Sequence, residues 1–158
     1  MKAARRLANR EWEGKALGNL GLAYADLGKT HRAIELYEQD LAIAREIGDR
    51  RGEGQTLGNL GLAYAALGET RHAIELYEQQ LVIARDMGDR RSEANACWNL
   101  GLALETLGEP SRAAEVMQVC VDYDREIGHP DAEKLAARVE SLRARAAADP
   151  GEPDVQTE

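Results

Sequence analysis

Apolar residues recur along this chain at steps of three and four, and the whole pattern returns every 40 residues. Leu17, Leu20, Gly21, Tyr24 and Leu27 fall on one helical stripe, the spacing of a single buried face. After Gly28 the apolar arc is wider, with Ala33, Tyr37, Leu41 and Ala44 on one line and Ile34, Ile43 and Ile47 spreading to another. A helix apolar over so broad an arc needs neighbours on both sides. Gly28, Gly68 and Gly108 split each unit in two, and Gly48, Gly88 and Gly128 end it, all suited to the left-handed residue that closes a helix. Asp49 and Asp89 follow directly, where a side-chain oxygen can accept from the first free amides of the next helix. Arg45, Arg85 and Arg125 fall in the last turn before the closing glycine, where positive charge suits the helix dipole, and read as solvated capping charges.

Residues 17–56 and 57–96 are identical at 28 of 40 positions, and residues 97–136 follow the same frame more loosely. The chain is therefore predicted to be all-α, an array of helix pairs stacked as a solenoid, because one pair cannot bury both of its apolar faces alone. Its two ends differ. After Pro130, Ala132, Leu135, Ala136, Val139 and Leu142 line one face of a helix over about 131–147 whose remaining positions are largely charged, the pattern of a solvating cap. From Asp149 onward proline, glycine and acidic residues predict a disordered tail. At the N-terminus, Ala4-Arg5-Arg6-Leu7-Ala8-Asn9-Arg10 aligns with Ala44-Arg45-Glu46-Ile47-Gly48-Asp49-Arg50, the end of a second helix whose beginning is absent. Without the closing glycine, residues 3–27 are expected to run as one helix with an uncovered face. The expected organisation is a remnant at 1–9, three helix pairs over 10–128, a cap at 129–148 and an acidic tail at 149–158.

The pattern resembles that of the tetratricopeptide repeat family, which asks for a large apolar residue, Leu-Gly, Tyr, Gly, Ala and an aromatic at set offsets. Here these are Leu17, Leu20-Gly21, Tyr24, Gly28, Ala33 and Tyr37, returning as Leu57, Leu60-Gly61, Tyr64, Gly68, Ala73 and Tyr77. The 40-residue unit exceeds the usual 34 and resembles the repeats of kinesin light chains, of Leu-Gly-Asn repeat adaptors and of arrays attached to bacterial signalling ATPases. The third unit departs most, with Cys97, Leu104 and Met117 at the large apolar position and the two tyrosine positions. Asp40, Gln80 and Cys120 stand where the family expects a small residue, which is expected to loosen or wet one contact per unit. The resemblance implies a right-handed superhelix whose first helices line a concave groove.

A second stripe on the first helices lies beside the buried one: Asn19, Leu22 and Asp26, then Asn59, Leu62 and Ala66, then Asn99, Leu102 and Thr106. On the resemblance, the three asparagines form a ladder able to hydrogen-bond a peptide backbone, and the leucines supply an apolar floor. The same stripe also suits packing between adjacent first helices. Trp98 takes the place of Gly18 and Gly58; on the resemblance it faces the groove as a candidate anchor, with Lys15, Gln55, Asn95 and Glu105 along the rim, and it equally suits simple end packing. The candidate peptide-binding residues are thus Asn19, Leu22, Asp26, Asn59, Leu62, Asn95, Trp98, Asn99, Leu102 and Glu105.

Composition narrows the function classes. The net charge of −8 and the lack of a basic stripe make nucleic acid a poor partner. No apolar run approaches the ~20 residues of a membrane span. Cys97 and Cys120 have no CxxC spacing, and with no apolar leader the expected setting is cytoplasmic and reduced. Phosphate-loop, HExxH and GxSxG motifs are absent, and His31, His72 and His129 are not spaced as metal ligands. No catalytic residue, cofactor or metal is expected, and the histidines read as surface residues. Three functions fit: a module binding a peptide or partner helix in the groove, a homo-oligomer formed through the N-terminal helix, or a regulatory array within a larger signalling protein.

Overall fold

The computed structural model describes residues 2–148. These residues form seven α-helices and no strand: α1 (Lys2–Asp26), α2 (Thr30–Ile47), α3 (Arg50–Ala66), α4 (Thr70–Met87), α5 (Arg90–Thr106), α6 (Pro110–Glu126) and α7 (Ala132–Ala148). Each packs mainly on the helix before and after it, and the short turns make neighbours antiparallel. The expected acidic tail, residues 149–158, lies outside the described residues.

The interior is correspondingly linear. One cluster joins Ile34, Tyr37 and Leu41 of α2 to Leu57 and Leu60 of α3. The next joins Ile74, Tyr77 and Leu81 of α4 to Cys97 and Leu100 of α5, then runs through Met117 and Val121 of α6 to Val139 and Leu142 of α7. The second helices are therefore buried on both sides, as their wide apolar arcs require. Close approach within a unit depends on glycine: a Cβ on Gly21 would sit 2.6 Å from Cε1 of Tyr37, and Gly61 and Gly101 are covered in the same way by Tyr77 and Met117.

The turns follow the sequence closely. Gly48 closes α2 at φ 72°, its amide donating to the Arg45 carbonyl at 3.3 Å while Asp49 N–H donates to Ala44 O at 2.9 Å. The Asp49 carboxylate accepts from Gly52 N at 2.9 Å, and that of Asp89 accepts from Ser92 N at 3.1 Å. Both aspartates thus cap the following helix. α1, which lacks a closing glycine near residue 8, is unbroken across the place where such a turn would stand.

Three expectations are corrected. First, the apolar stripe of residues 17–27 is buried only in part: Gly21 is covered, but Leu20 is 45% and Leu27 69% exposed, and Leu17 and Tyr24 are half-buried, because among the described residues no helix lies against that side of α1. Second, Arg45, Arg85 and Arg125 are not simply solvated. Their Nε atoms donate across each junction to Glu53, Glu93 and Glu133 at 2.8, 2.8 and 2.9 Å. A second series, Arg10–Glu46, Arg50–Asp86 and Arg90–Glu126, ties the start of α3 and α5, and the equivalent position inside α1, to the end of the second helix of the same pair. Most of these groups are water-exposed, so they orient the helices more than they stabilise them. Third, the polar residues at 40 and 80 do not share one fate. Thr56 Oγ1 donates to Asp40 at 2.6 Å, a bond between units, whereas Gln80 Oε1 is buried with no hydrogen-bond partner. Cys120 is buried.

Candidate binding groove

Two clefts open along the same side of α1, α3 and α5. The first is lined by Gly18, Asn19 and Leu22 of α1, by Asp40 and Ile43 of α2, and by Arg51, Gln55 and Asn59 of α3. The second runs from Leu22 and Asn59 past Leu62, Asn95, Trp98 and Asn99 to Tyr123 of α6 and Leu135 of α7. Leu22, Arg51, Gln55 and Asn59 line both, so the clefts form one trough. Helical spacing accounts for this: residues three and four apart on parallel first helices project to one side, and stacking sets those sides edge to edge.

Asn19, Leu22, Asn59, Leu62, Asn95, Trp98 and Asn99 are brought together in this trough. Leu22 and Leu62 are exposed by 45% and 53%, large apolar surfaces with no protein neighbour over them. Leu102 is 37% exposed but, like Asp26, lies outside the two clefts. Glu105 is engaged elsewhere, accepting from Arg138 at 2.8 Å and Arg145 at 2.6 Å of the cap helix. Burial works to raise its pKa, but the hydrogen bonds from those two guanidinium groups outweigh it and hold the carboxyl below the ordinary value.

Trp98 has two roles in the geometry. It packs against the third unit's core and also lines the trough. Its site is explained by exchange of bulk across the helix pair. A Cβ on Gly18 would meet Asp40 at 2.9 Å, and one on Gly58 would meet Gln80 at 2.7 Å. In the third unit the frame places Cys120 opposite, and the smaller partner leaves room for an indole.

Sequence reading missed the trough's cationic component. Arg50 and Arg90 are held by Asp86 and Glu126, whereas Arg51 and Arg91 make no ion pair among the described residues and line the trough. The signal was present as an Arg-Arg dipeptide directly after each capping aspartate. Asp89 nearby is held below the ordinary aspartate value, chiefly by the backbone and hydroxyl of Ser92, with help from the Arg51 charge. The capping aspartates are therefore already committed to helix amides, leaving the arginine charge turned to the trough.

Burial pushes the Cys97 and Cys120 thiols up to about 11, far from the thiolate a nucleophile needs at neutral pH. Among the described residues no three His, Cys, Asp or Glu side chains are grouped to hold a metal ion, and no helix is long and apolar enough to cross a membrane.

Comparison with known proteins agrees with this geometry. Sequence models of the tetratricopeptide repeat match residues 12–86 and 94–127. The chain belongs to the tetratricopeptide repeat family. No curated protein sequence gives a significant match. Among solved structures, the tetratricopeptide array is similar to the apo form of RapI, with TM-score 0.81 and 14% identity over 88% of this chain and 39% of that one. BtubC (BKLC) from P. vanneervenii aligns with TM-score 0.68 and 19% identity, covering 92% of this chain and 68% of that one. A putative kinesin light chain of Podospora anserina with nearly identical TPR-like repeats aligns with TM-score 0.59 and 21% identity, covering 89% and 76%. At these identities the likeness is one of fold, and this chain spans well under half of RapI. The family makes the chain a protein-interaction module in the general sense.

Proposed function

We propose that the trough along α1, α3 and α5 holds a peptide or partner helix that carries acidic side chains. The observation that carries this reading is the alignment of exposed Leu22 and Leu62 with Asn19, Asn59 and Asn99 beside the unpaired Arg51 and Arg91. Leucine gives apolar area, asparagine gives a donor and an acceptor to a peptide backbone, and the guanidinium fork fits a carboxylate with two parallel bonds. Trp98, half-buried at the trough wall, is the natural anchor point. Under this reading residues 10–128 form the three-pair binding body, residues 129–148 its cap, and the setting is cytoplasmic.

Affinity near 1 μM, about −8 kcal/mol, is the scale such a surface supports. The test is selection of binding peptides from a displayed library, followed by titration against the parent chain and an Asn59→Ala, Trp98→Ala double variant that keeps its helical circular dichroism. A tenfold or greater loss supports the groove. Unchanged affinity for every selected peptide refutes it. Arg51→Gln with Arg91→Gln should weaken acidic peptides more than neutral ones and flatten the salt dependence.

A further inference from the structure

We infer that two copies of this chain pair through α1, antiparallel and about a two-fold axis near residues 19 and 20. This surface is distinct from the trough, and the inference does not depend on the groove reading. α1 turns its glycines, Gly14, Gly18 and Gly21, to α2. The opposite side carries Trp12, Ala16, Leu20 and Ala23, continued by Leu27 in the turn directly after the helix, a stripe at steps of four, four, three and four that is about 22 Å long. All five are exposed, the three large ones by 73%, 45% and 69%. In the second unit the same frame buries Thr56, Leu60 and Ala63 to 3%, 2% and 6% exposure beneath the preceding helix.

Among the described residues nothing folds back to cover the stripe. The residues that align with a preceding second helix are straightened into α1 itself. At the other junctions an arginine reaches a glutamate eight positions on. Arg5 and Glu13 hold those two positions on one continuous helix, about 12 Å apart along the axis, so of the two pairs that Glu53 makes, with Arg45 and with Arg50, Glu13 has only the counterpart of the second, with Arg10.

The occupant follows from symmetry. The stripe is self-complementary when reversed: Trp12 meets Leu27, Ala16 meets Ala23, and Leu20 meets its own copy at the axis. Small residues flank the axis, so the helices can approach closely, and the large ones close both ends. Head-to-tail stacking offers no such match, because α7 at the far end exposes no large apolar side chain. An isologous pair buries its patch on both copies and closes.

The test uses the full chain in size exclusion with light scattering over about 5–500 μM. The expected result is a mass twice the 17.3 kDa of one chain, reduced to one chain by Leu20→Glu or, separately, by Trp12→Glu. Both side chains are exposed, so helical content and thermal unfolding of the monomer check that either variant folds. In the register proposed, mixed Ala16→Cys and Ala23→Cys chains form a disulfide-linked heterodimer under mild oxidant. Ala16→Cys alone does not, its two copies lying about 10 Å apart along the pair. A monomer at every concentration, a dimer indifferent to both substitutions, or a 16–16 disulfide without a 16–23 one would overturn the inference.

Discussion

The first and second units have nearly the same sequence and differ in what lies next to them. Leu20 and Leu60 occupy the same position in the repeat, in the same local run Leu-Gly-Asn-Leu-Gly-Leu-Ala-Tyr-Ala, yet one is 45% exposed and the other 2%. Contacts made inside a unit are alike in both: Gly21 against Tyr37 has its counterpart in Gly61 against Tyr77. Contacts made to the preceding unit exist only for the second. Local sequence therefore determines the helix and its internal fit, while burial is a property of position in the stack.

The largest test of this contrast is alanine at the two leucines. With the chain dilute enough to be monomeric, Leu60→Ala is expected to lower the unfolding free energy by about 3 kcal/mol and Leu20→Ala by less than about 1. Urea denaturation measures both. Equal losses would mean that Leu20 is covered in solution. Next in size, Gly61→Ala and Gly21→Ala should each cost about 2 kcal/mol, because each new methyl meets a buried tyrosine ring of its own unit. Here similar values in the two units are the expected result, and a large difference would break the division between inner and outer contacts.

Electrostatics gives smaller effects with opposite signs. Burial tends to raise the pKa of Glu53, but Arg45 and Arg50 overcome this and hold it below 4.5. A depressed carboxyl contributes stability above its unfolded value and loses that contribution as pH falls through the folded value. Glu53→Gln should therefore cost about 1 kcal/mol at pH 7, with the deficit narrowing below pH 4.5, while Glu13→Gln changes nothing measurable. Asp40 runs the other way: burial raises its pKa above 3.8 against the pull of the Thr56 hydrogen bond. A raised carboxyl favours the folded state at low pH and loses that advantage as pH rises through the folded value. Asp40→Asn, which can still accept from Thr56, is expected to shift stability by less than about 0.5 kcal/mol at pH 7 and to remove that dependence. Thermal melts across pH 3–8 read both variants.

The helices, the turns and the stacking were legible because each has a short-range signal: a 3.6-residue period, a glycine, an aspartate cap. The trough was legible in part. Spacing put Asn59 on a common face with Leu62, and only the family resemblance made that face and Trp98 a groove, but Glu105 could not be seen to belong to Arg138 and Arg145, which come from a helix over thirty residues away. The paired and unpaired arginines at residues 50 and 51 were equally hidden. Adjacent residues on a helix point about 100° apart, and only the fold decides which one finds Asp86.

The departures of the third unit have a consequence for how the chain reaches its native order. α2 and α4 present the same Ile, Tyr and Leu to whatever docks on them, as Ile34, Tyr37 and Leu41 in one and Ile74, Tyr77 and Leu81 in the other. Near-identical surfaces invite exchange during folding, and misassembly is a characteristic failure of repeat proteins. Cys97, Trp98, Leu104 and Met117 give α5 and α6 shapes that the first two units do not share. The least regular unit is thus the one whose surfaces the first two cannot stand in for.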